Sequence, residues 1–212
     1  MSFQDTFVYQ TEPDVVTREY IPGDAMKYIH WKVSAKEQAL RTRNLIGERK
    51  QELLLIYDTK RYSEEKKEYI PLENQILETI LALGYHFAEK NINYSILWEQ
   101  NGLQKFQVNG ISQIDHWYEE TSKVIFGENQ DVNVLMQHIM QERLYLGAQT
   151  IILVAHEVEE ELMNRLQQLS LEGYRVVLYL ITDKNVEEYV RRSNSRLKIV
   201  VLPVEGDLEE LL

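Results

Sequence analysis

The strongest constraint in the sequence is a short apolar run, Leu53–Asp58, that ends in an acid and is followed by a polar loop and a long amphipathic segment. An uninterrupted apolar run of this length is typical of a strand buried on both faces of a parallel sheet. The carboxyl end of such a strand is where an open α/β sheet places its functional groups. We therefore expect Asp58 and the loop Thr59–Ser63 to form the centre of the candidate site.

Composition excludes several classes of function. The formal net charge is −11, and this excess of acid argues against binding to nucleic acid or to an anionic membrane surface. The chain has no cysteine, which rules out disulfides, thiolate metal ligands and cysteine nucleophiles. Its apolar runs are far shorter than the roughly 18 residues of a membrane span, and no signal peptide is recognised at its start. The expectation is a soluble, cytoplasmic segment.

After the first strand, the periodicity of apolar residues alternates between that of helices and that of strands. A helix is predicted from Pro71 to about Lys90, because Pro is favoured in the first helical turn. Its predicted buried stripe is Leu72, Ile76, Ile80, Leu83 and Phe87. Asn101-Gly102 is a hairpin signal between two of the later strands. Those strands are predicted at Tyr94–Trp98, Leu103–Val108, Thr150–Ala155, Tyr174–Ile181 and Leu197–Leu202.

The segment before the first strand forms a region of its own. We predict an extension over residues 1–50, an α/β domain over 51–204 and an acidic tail over 205–212. Within the extension, Pro22-Gly23 indicates a turn, and the alternation of Ile29, Trp31 and Val33 with polar residues predicts a half-buried strand. A further strand is predicted at Leu40–Ile46.

Two interpretations of this extension remain open. In the functional interpretation, a recognition surface is formed by Arg18, Tyr20, Asp24, His30, Trp31 and Lys32. In the structural one, Arg18 pairs with a neighbouring acid and Trp31 fills a sheet edge. Large aromatic residues in an alternating strand are usually core residues, so the structural interpretation is favoured.

The order of elements resembles the von Willebrand factor A fold. It implies a three-layer α/β/α, Rossmann-like sheet with strand order 3-2-1-4-5-6 and one antiparallel edge strand, plus a short β-rich N-terminal extension. The extension carries the pattern Arg18-x-Tyr20-x-x-Gly23-Asp24, followed by Ile29-x-Trp31-x-x-Ser34-Ala35. That pattern resembles the bacterial family called domain of unknown function 58, and the resemblance covers roughly residues 15–203.

The resemblance also implies a cellular context. Members of that family usually carry two membrane-spanning helices before this segment, and they often neighbour MoxR-type AAA+ ATPases. The expected partner is therefore a protein, with a MoxR-type ATPase as the specific candidate. The present chain is expected to be either a soluble piece of a membrane-anchored parent protein or a shortened relative, and it does not itself insert into a membrane.

The expected metal site of the fold is degenerate in this sequence. An intact site resembles Asp-x-Ser-x-Ser plus a Thr and a further Asp, because a hard divalent cation needs oxygen ligands. Here Lys60 and Tyr62 occupy the two serine positions, Ser63 lies one position late, and His156 follows the fourth strand where an Asp is expected. We interpret Lys60 as an electrostatic replacement for the ion. No cofactor is expected, and Asp58 is the ligand if Mg²⁺ does bind.

Three functional hypotheses follow from the sequence. The first is a non-catalytic protein-binding module that uses the crevice residues Asp58, Thr59, Lys60, Tyr62, Ser63 and His156. The second is a metal-dependent adhesion-type module that uses Asp58, Ser63 and one loop acid in an altered geometry. The third is an enzyme or small-molecule binder that uses Asp58, Lys60 and His156 at the crevice. The first is favoured because the sequence contains no phosphate loop, nucleophile elbow or catalytic triad pattern.

Overall fold

A computed structural model of the chain describes residues 17–20, 29, 31–43 and 52–205. The chain divides into two compact units, residues 1–50 and 51–212. The predicted turn at Pro22-Gly23 and the tail beyond Glu205 lie outside the described residues. None of the helices in the described ranges combines the length and apolar character that crossing a lipid bilayer requires.

The first unit contains a two-stranded antiparallel sheet and one helix. Strand β1 is Thr17–Glu19, helix α1 is Trp31–Glu37 and strand β2 is Arg41–Arg43, with β1 and β2 paired. The strand predicted from the alternation around Trp31 is therefore wrong from that residue onward. An alternation over five residues is too short to separate the two periodicities, and the helix-forming sequence Ala35-Lys36-Glu37 decides the outcome. Of the strand predicted at Leu40–Ile46, Arg41–Arg43 form β2, Leu40 lies before that strand, and residues 44–46 lie outside the described residues.

The second unit is built on a six-stranded sheet. Its strands are β3 Glu52–Tyr57, β4 Tyr94–Glu99, β5 Leu103–Val108, β6 Ala148–Ala155, β7 Arg175–Ile181 and β8 Leu197–Leu202. They are ordered β5-β4-β3-β6-β7-β8, which is 3-2-1-4-5-6 when the strands of this sheet are counted from β3. The β4–β5 hairpin is antiparallel and the other pairs are parallel. The predicted von Willebrand factor A-like fold class is confirmed.

Helices cover both faces of this sheet. They are α2 Lys66–Glu89, α3 Ile114–Thr121 (after a 3₁₀ turn at Ile111–Gln113), α4 Val132–Gln141, α5 Glu160–Leu171 and α6 Glu187–Val190. Because strand side chains alternate between faces, Leu54 and Ile56 join the core formed with α4 and α5. Tyr57 points to the opposite face, where its ring meets Trp117 of α3 at 6.5 Å between centroids. Strand β3 is thus central and buried on both faces, as the apolar run predicts.

The long helix α2 begins five residues before its predicted start at Pro71. The reason lies in the preceding turn, where the Ser63 hydroxyl accepts the N–H of Glu65 at 3.1 Å. The Glu65 carbonyl then accepts the N–H groups of Glu68 and Tyr69 and starts the first helical turn. The missing N–H of Pro71 leaves only one carbonyl near the helix start without its usual bond. The predicted buried stripe of α2 is confirmed, since all five of its residues are buried.

Candidate functional site

The candidate site is centred on Asp58, which directly follows the central strand β3. Its backbone N–H still pairs with the carbonyl of Val154 on the neighbouring strand β6, at 2.9 Å, and the residue is only 1% exposed. The backbone N–H of Lys60 donates to one carboxylate oxygen at 2.9 Å. The hydroxyl of Tyr62 donates to the other oxygen. Both oxygens of this buried acid therefore have a donor from the loop that follows it.

The Lys60 ammonium contacts the ring of Tyr62 rather than the Asp58 carboxylate, which the sequence interpretation places next to it. Its Nζ lies over the ring of Tyr62, 5.0 Å from the ring centroid, a cation–π geometry. Its charge lowers the pKa of Asp58 through space, but the direct hydrogen bonds to the carboxylate come from Tyr62 and from the Lys60 backbone. The side chain that bonds directly to the Asp58 carboxylate is thus the Tyr62 phenol, while the Lys60 ammonium acts on it through space.

His156 completes the cluster from the end of strand β6. Its Nδ1 lies 3.0 Å from the carbonyl oxygen of Ile181, and because a carbonyl only accepts, Nδ1 carries a proton and donates. The imidazole meets the Tyr62 ring edge-on, with 4.5 Å between centroids. Burial lowers the pKa of His156 and favours the neutral ring. Tyr62 is therefore held between Lys60 and His156 while its hydroxyl covers Asp58.

Burial is the main influence on the acid–base properties of this site. It raises the pKa of Asp58 to about 6, although the Tyr62 and Lys60 hydrogen bonds and the Lys60 charge oppose the rise. Burial also raises the pKa of Tyr62, and the negative charges of Asp58, Glu157 and Asp131 add to that effect. The phenol therefore stays protonated at all ordinary pH values, and it donates to the carboxylate once Asp58 has ionised.

Two acids near the site were not singled out from the sequence. Asp131 is the N-cap of α4, and its carboxylate accepts the N–H of Asn133 at 2.7 Å. The second acid is Glu157, whose Oε1 lies 3.8 Å from Lys184 Nζ. An Asp directly before an apolar helix is a recognisable cap signal, so the role of Asp131 in the helix could have been predicted. Its nearness to Asp58 depends on how the loop between α3 and α4 packs.

That loop is fixed against the residues that follow Asp58. The N–H of Gly127 donates to the Thr59 carbonyl at 3.0 Å, and the N–H of Arg61 donates to the Gly127 carbonyl at 3.0 Å. The Arg61 guanidinium makes two hydrogen bonds to Glu73 of α2, at 2.7 and 3.1 Å. The loop that carries Lys60 and Tyr62 is thus attached to two other elements and has a defined conformation.

The structure places the other predicted hydroxyl residues away from the carboxylate. Thr59 is 2% exposed, and its hydroxyl donates to the carbonyl of Glu99 at 2.6 Å. Ser63 donates to Glu68 at 2.6 Å. Both hydroxyls hold the loop in place rather than facing Asp58. Across the described ranges, no three side chains of the His, Cys, Asp or Glu type are grouped so that they could hold a metal ion.

In the first unit, the motif residues fall into structural and exposed positions. The Ser34 hydroxyl accepts the N–H of Arg41 at 2.8 Å and lies 3.4 Å from its carbonyl, so it joins α1 to β2. Arg18 lies in β1, and the Tyr20 N–H donates to the Leu40 carbonyl at 2.9 Å. Trp31 is 61% exposed, so the expectation that it fills a sheet edge is wrong. Gly23 and Asp24 lie outside the described residues.

Several solved structures resemble this chain at low sequence identity. The VWA domain of SpRpn10 is 8% identical, with 74% of this chain and 90% of that chain covered and a TM-score of 0.49. A von Willebrand factor type A protein from Catenulispora acidiphila is 9% identical, with 72% and 38% covered and a TM-score of 0.46. The manganese-loaded TRAP protein of Plasmodium vivax is 15% identical, with 72% and 69% covered and a TM-score of 0.43.

A family model also matches the sequence. No curated protein is a significant match, but residues 16–105 match the family described as "Protein of unknown function DUF58". The match includes the Arg18–Ala35 motif, the central strand β3 and the loop that carries Asp58. The predicted resemblance is confirmed over residues 16–105, which match the domain of unknown function 58 family, and the sheet that follows from β3 has the von Willebrand factor A-like strand order.

Proposed function

We propose that this chain is a non-catalytic protein-binding module that uses the carboxyl end of its sheet without a metal ion. The observation that carries the proposal is that both oxygens of Asp58 accept hydrogen bonds from the chain itself, from Tyr62 and from the backbone of Lys60. A binding surface built this way is complete before a partner arrives. The surface available to the partner consists of the half-buried side chains of Lys60, Tyr62 and His156.

The residues present do not fit a divalent cation. A hard cation needs several free oxygens in one place. Asp58, which follows β3, is 1% exposed and has both oxygens bonded, and Lys60 and Tyr62 occupy the positions where the fold's two serine ligands are expected. The residue after β6 is His156, whose Nδ1 faces a backbone carbonyl. Mg²⁺ would have to break the Tyr62 bond and approach an ammonium group, both of which oppose binding.

The same contacts argue against a catalytic role for the crevice. Asp58 is too deeply buried to reach a substrate, and the His156 ring packs edge-on against Tyr62 with 4.5 Å between centroids. A general base needs to lie within hydrogen-bond reach of the proton that it removes. For these residues a role in holding the shape of the surface is better supported than a role in chemistry.

Calorimetric titration with Mg²⁺, Mn²⁺ and Ca²⁺ tests the metal-free part of the proposal. The wild type is expected to show only weak, non-specific millimolar binding. The double variant Lys60→Ser/Tyr62→Ser restores the Asp-x-Ser-x-Ser spacing, removes the phenol from Asp58 and is expected to bind the ions more tightly than the wild type. Micromolar binding by the wild type that disappears in Asp58→Ala would contradict the proposal and support the metal-dependent adhesion hypothesis.

For the partner, we propose a MoxR-type AAA+ ATPase, acting with a membrane-anchored parent protein, on the basis of the family resemblance. The full-length gene product should retain this ATPase in a pull-down, and the present segment should compete for it. Lys60→Glu is expected to reduce that competition at least tenfold. Lys90→Glu, at the far end of α2, is the matched control and should compete like the wild type. Equal competition by both variants would place the binding surface elsewhere.

A further inference from the structure

Three aromatic side chains form an internal aromatic cluster on the α2/α3 face of the sheet: Tyr57 at the end of β3, Trp98 on β4 and Trp117 on α3. The ring centroids are separated by 5.7 Å for Tyr57–Trp98, 5.8 Å for Trp98–Trp117 and 6.5 Å for Tyr57–Trp117. The two residues from β3 and α3 are 0% exposed, and Trp98 is 6% exposed. Each ring thus contacts both of the others in an environment closed to bulk solvent.

Each ring in the cluster carries one polar group without a partner. The Tyr57 hydroxyl and the indole Nε1 atoms of Trp98 and Trp117 have no hydrogen-bond partner among the described residues. Buried polar groups in folded proteins are almost always bonded, because an unpaired one bears the full cost of leaving water. Three such groups on three touching rings indicate a shared cause rather than three separate defects.

The chemistry of these groups specifies what could satisfy them. An indole N–H only donates, and a phenol donates most readily, so the missing partner is a hydrogen-bond acceptor. An anion is disfavoured because the next residue along the chain, Asp58, is a buried carboxyl group whose charge would repel it. We infer that the internal aromatic cluster encloses a binding site for a neutral hydrogen-bond acceptor of at most a few heavy atoms, such as ordered water.

Helix α2 approaches Trp117 through a glycine. Gly84 of α2 faces this indole, and a Cβ added there would lie 3.4 Å from Trp117 Nε1 and 2.9 Å from the Tyr94 hydroxyl. The absence of a side chain at this position keeps the helix from covering the indole nitrogen. A buried water needs polar partners, and the three unpartnered groups of the cluster can supply them.

Nuclear magnetic resonance of the full chain with ¹⁵N-labelled tryptophan tests the site directly. The chain has three indole N–H signals, which Trp98→Phe and Trp117→Phe variants assign. We expect the Trp98 and Trp117 signals to show cross-relaxation with a long-lived water, and the exposed Trp31 to show none. If the acceptor is instead a small organic molecule, native mass spectrometry should show its added mass. Finding neither signal would overturn the inference.

A matched pair of tyrosine variants gives an independent test. Tyr57→Phe removes one donor of the cluster, whereas Tyr94→Phe removes a hydroxyl that is already bonded to the Gly84 carbonyl at 2.8 Å. If the site is occupied, both variants should raise the unfolding equilibrium constant by about tenfold, since each loses one hydrogen bond. If Tyr57→Phe lowers that constant while Tyr94→Phe raises it, the Tyr57 hydroxyl has no partner and the inference fails.

Discussion

Replacing Asp58 by Asn is expected to raise the free energy of unfolding by about 3 kcal/mol at pH 7 and above. In the unfolded chain this carboxyl ionises near its ordinary pKa of 3.8, whereas burial in the folded protein raises its pKa to about 6. Between these values the folded chain retains a proton that the unfolded chain has lost. The free energy of unfolding therefore falls as the pH rises through this window, and the loss is complete above it. An Asn side chain carries no such proton.

Urea denaturation of both proteins from pH 3.5 to 8 measures this effect. The two stability curves should meet at the acid end, where Asp58 is protonated in both states, separate between about pH 4 and 6, and keep a constant difference above that window. His156 has a lowered pKa and adds a rise of stability with pH, but it is present in both proteins and is removed by subtraction. Parallel curves would show that Asp58 is not buried as an acid. In the folded wild type, the side-chain carboxyl ¹³C signal of Asp58 should titrate with a midpoint near pH 6.

Truncating the central strand is the second large effect that we expect. Leu55→Ala should lower the free energy of unfolding by about 2–5 kcal/mol, the usual range for a Leu removed from a packed core. Leu55 is 0% exposed and stands in register between Ile96 of β4 and Ile152 of β6. The residues on both sides of the cavity belong to paired strands of the sheet. They cannot move in to fill it.

Leu171→Ala is the matched control for that substitution. The side chain removed is the same, but Leu171 lies at the end of α5 and is 87% exposed. Its loss should cost less than about 0.5 kcal/mol, as for other surface substitutions. Equal costs for the two variants, measured by urea denaturation at pH 7, would contradict the central position of β3.

Much of the sheet could be predicted from the sequence because its strands are buried and sharply bounded. The apolar run before Asp58 and the Asn101-Gly102 hairpin signal located β3, β4 and β5 within a residue. The errors arose where local patterns were short or ambiguous. The alternation around Trp31 fitted two periodicities, and Pro71 suggested a helix start although the turn at Ser63 sets it earlier. The start of α2 is set by a side-chain hydrogen bond, which the propensities of single residues do not describe.

The site was predictable in its position and less so in its contacts. Chain order and topology bring Asp58 and His156 to the same edge, because β3 and β6 are parallel neighbours. The sequence predicts that Tyr62 occupies a serine position of the fold. It does not predict that the Tyr62 hydroxyl donates a hydrogen bond to Asp58. That contact depends on the docking of the loop at Gly127 against Thr59, a long-range interaction with no local signal.

Anomalous diffraction from crystals soaked in Mn²⁺ shows directly whether the Asp58 carboxylate binds a metal ion or the Tyr62 hydroxyl. With the Tyr62 hydroxyl on one oxygen and the Lys60 N–H on the other, no anomalous peak should appear within bonding distance of the carboxylate, and the phenol should remain in place. A manganese peak about 2.2 Å from an Asp58 oxygen, with Tyr62 displaced, would show that the site is a working metal centre and that the proposed metal-free surface is wrong.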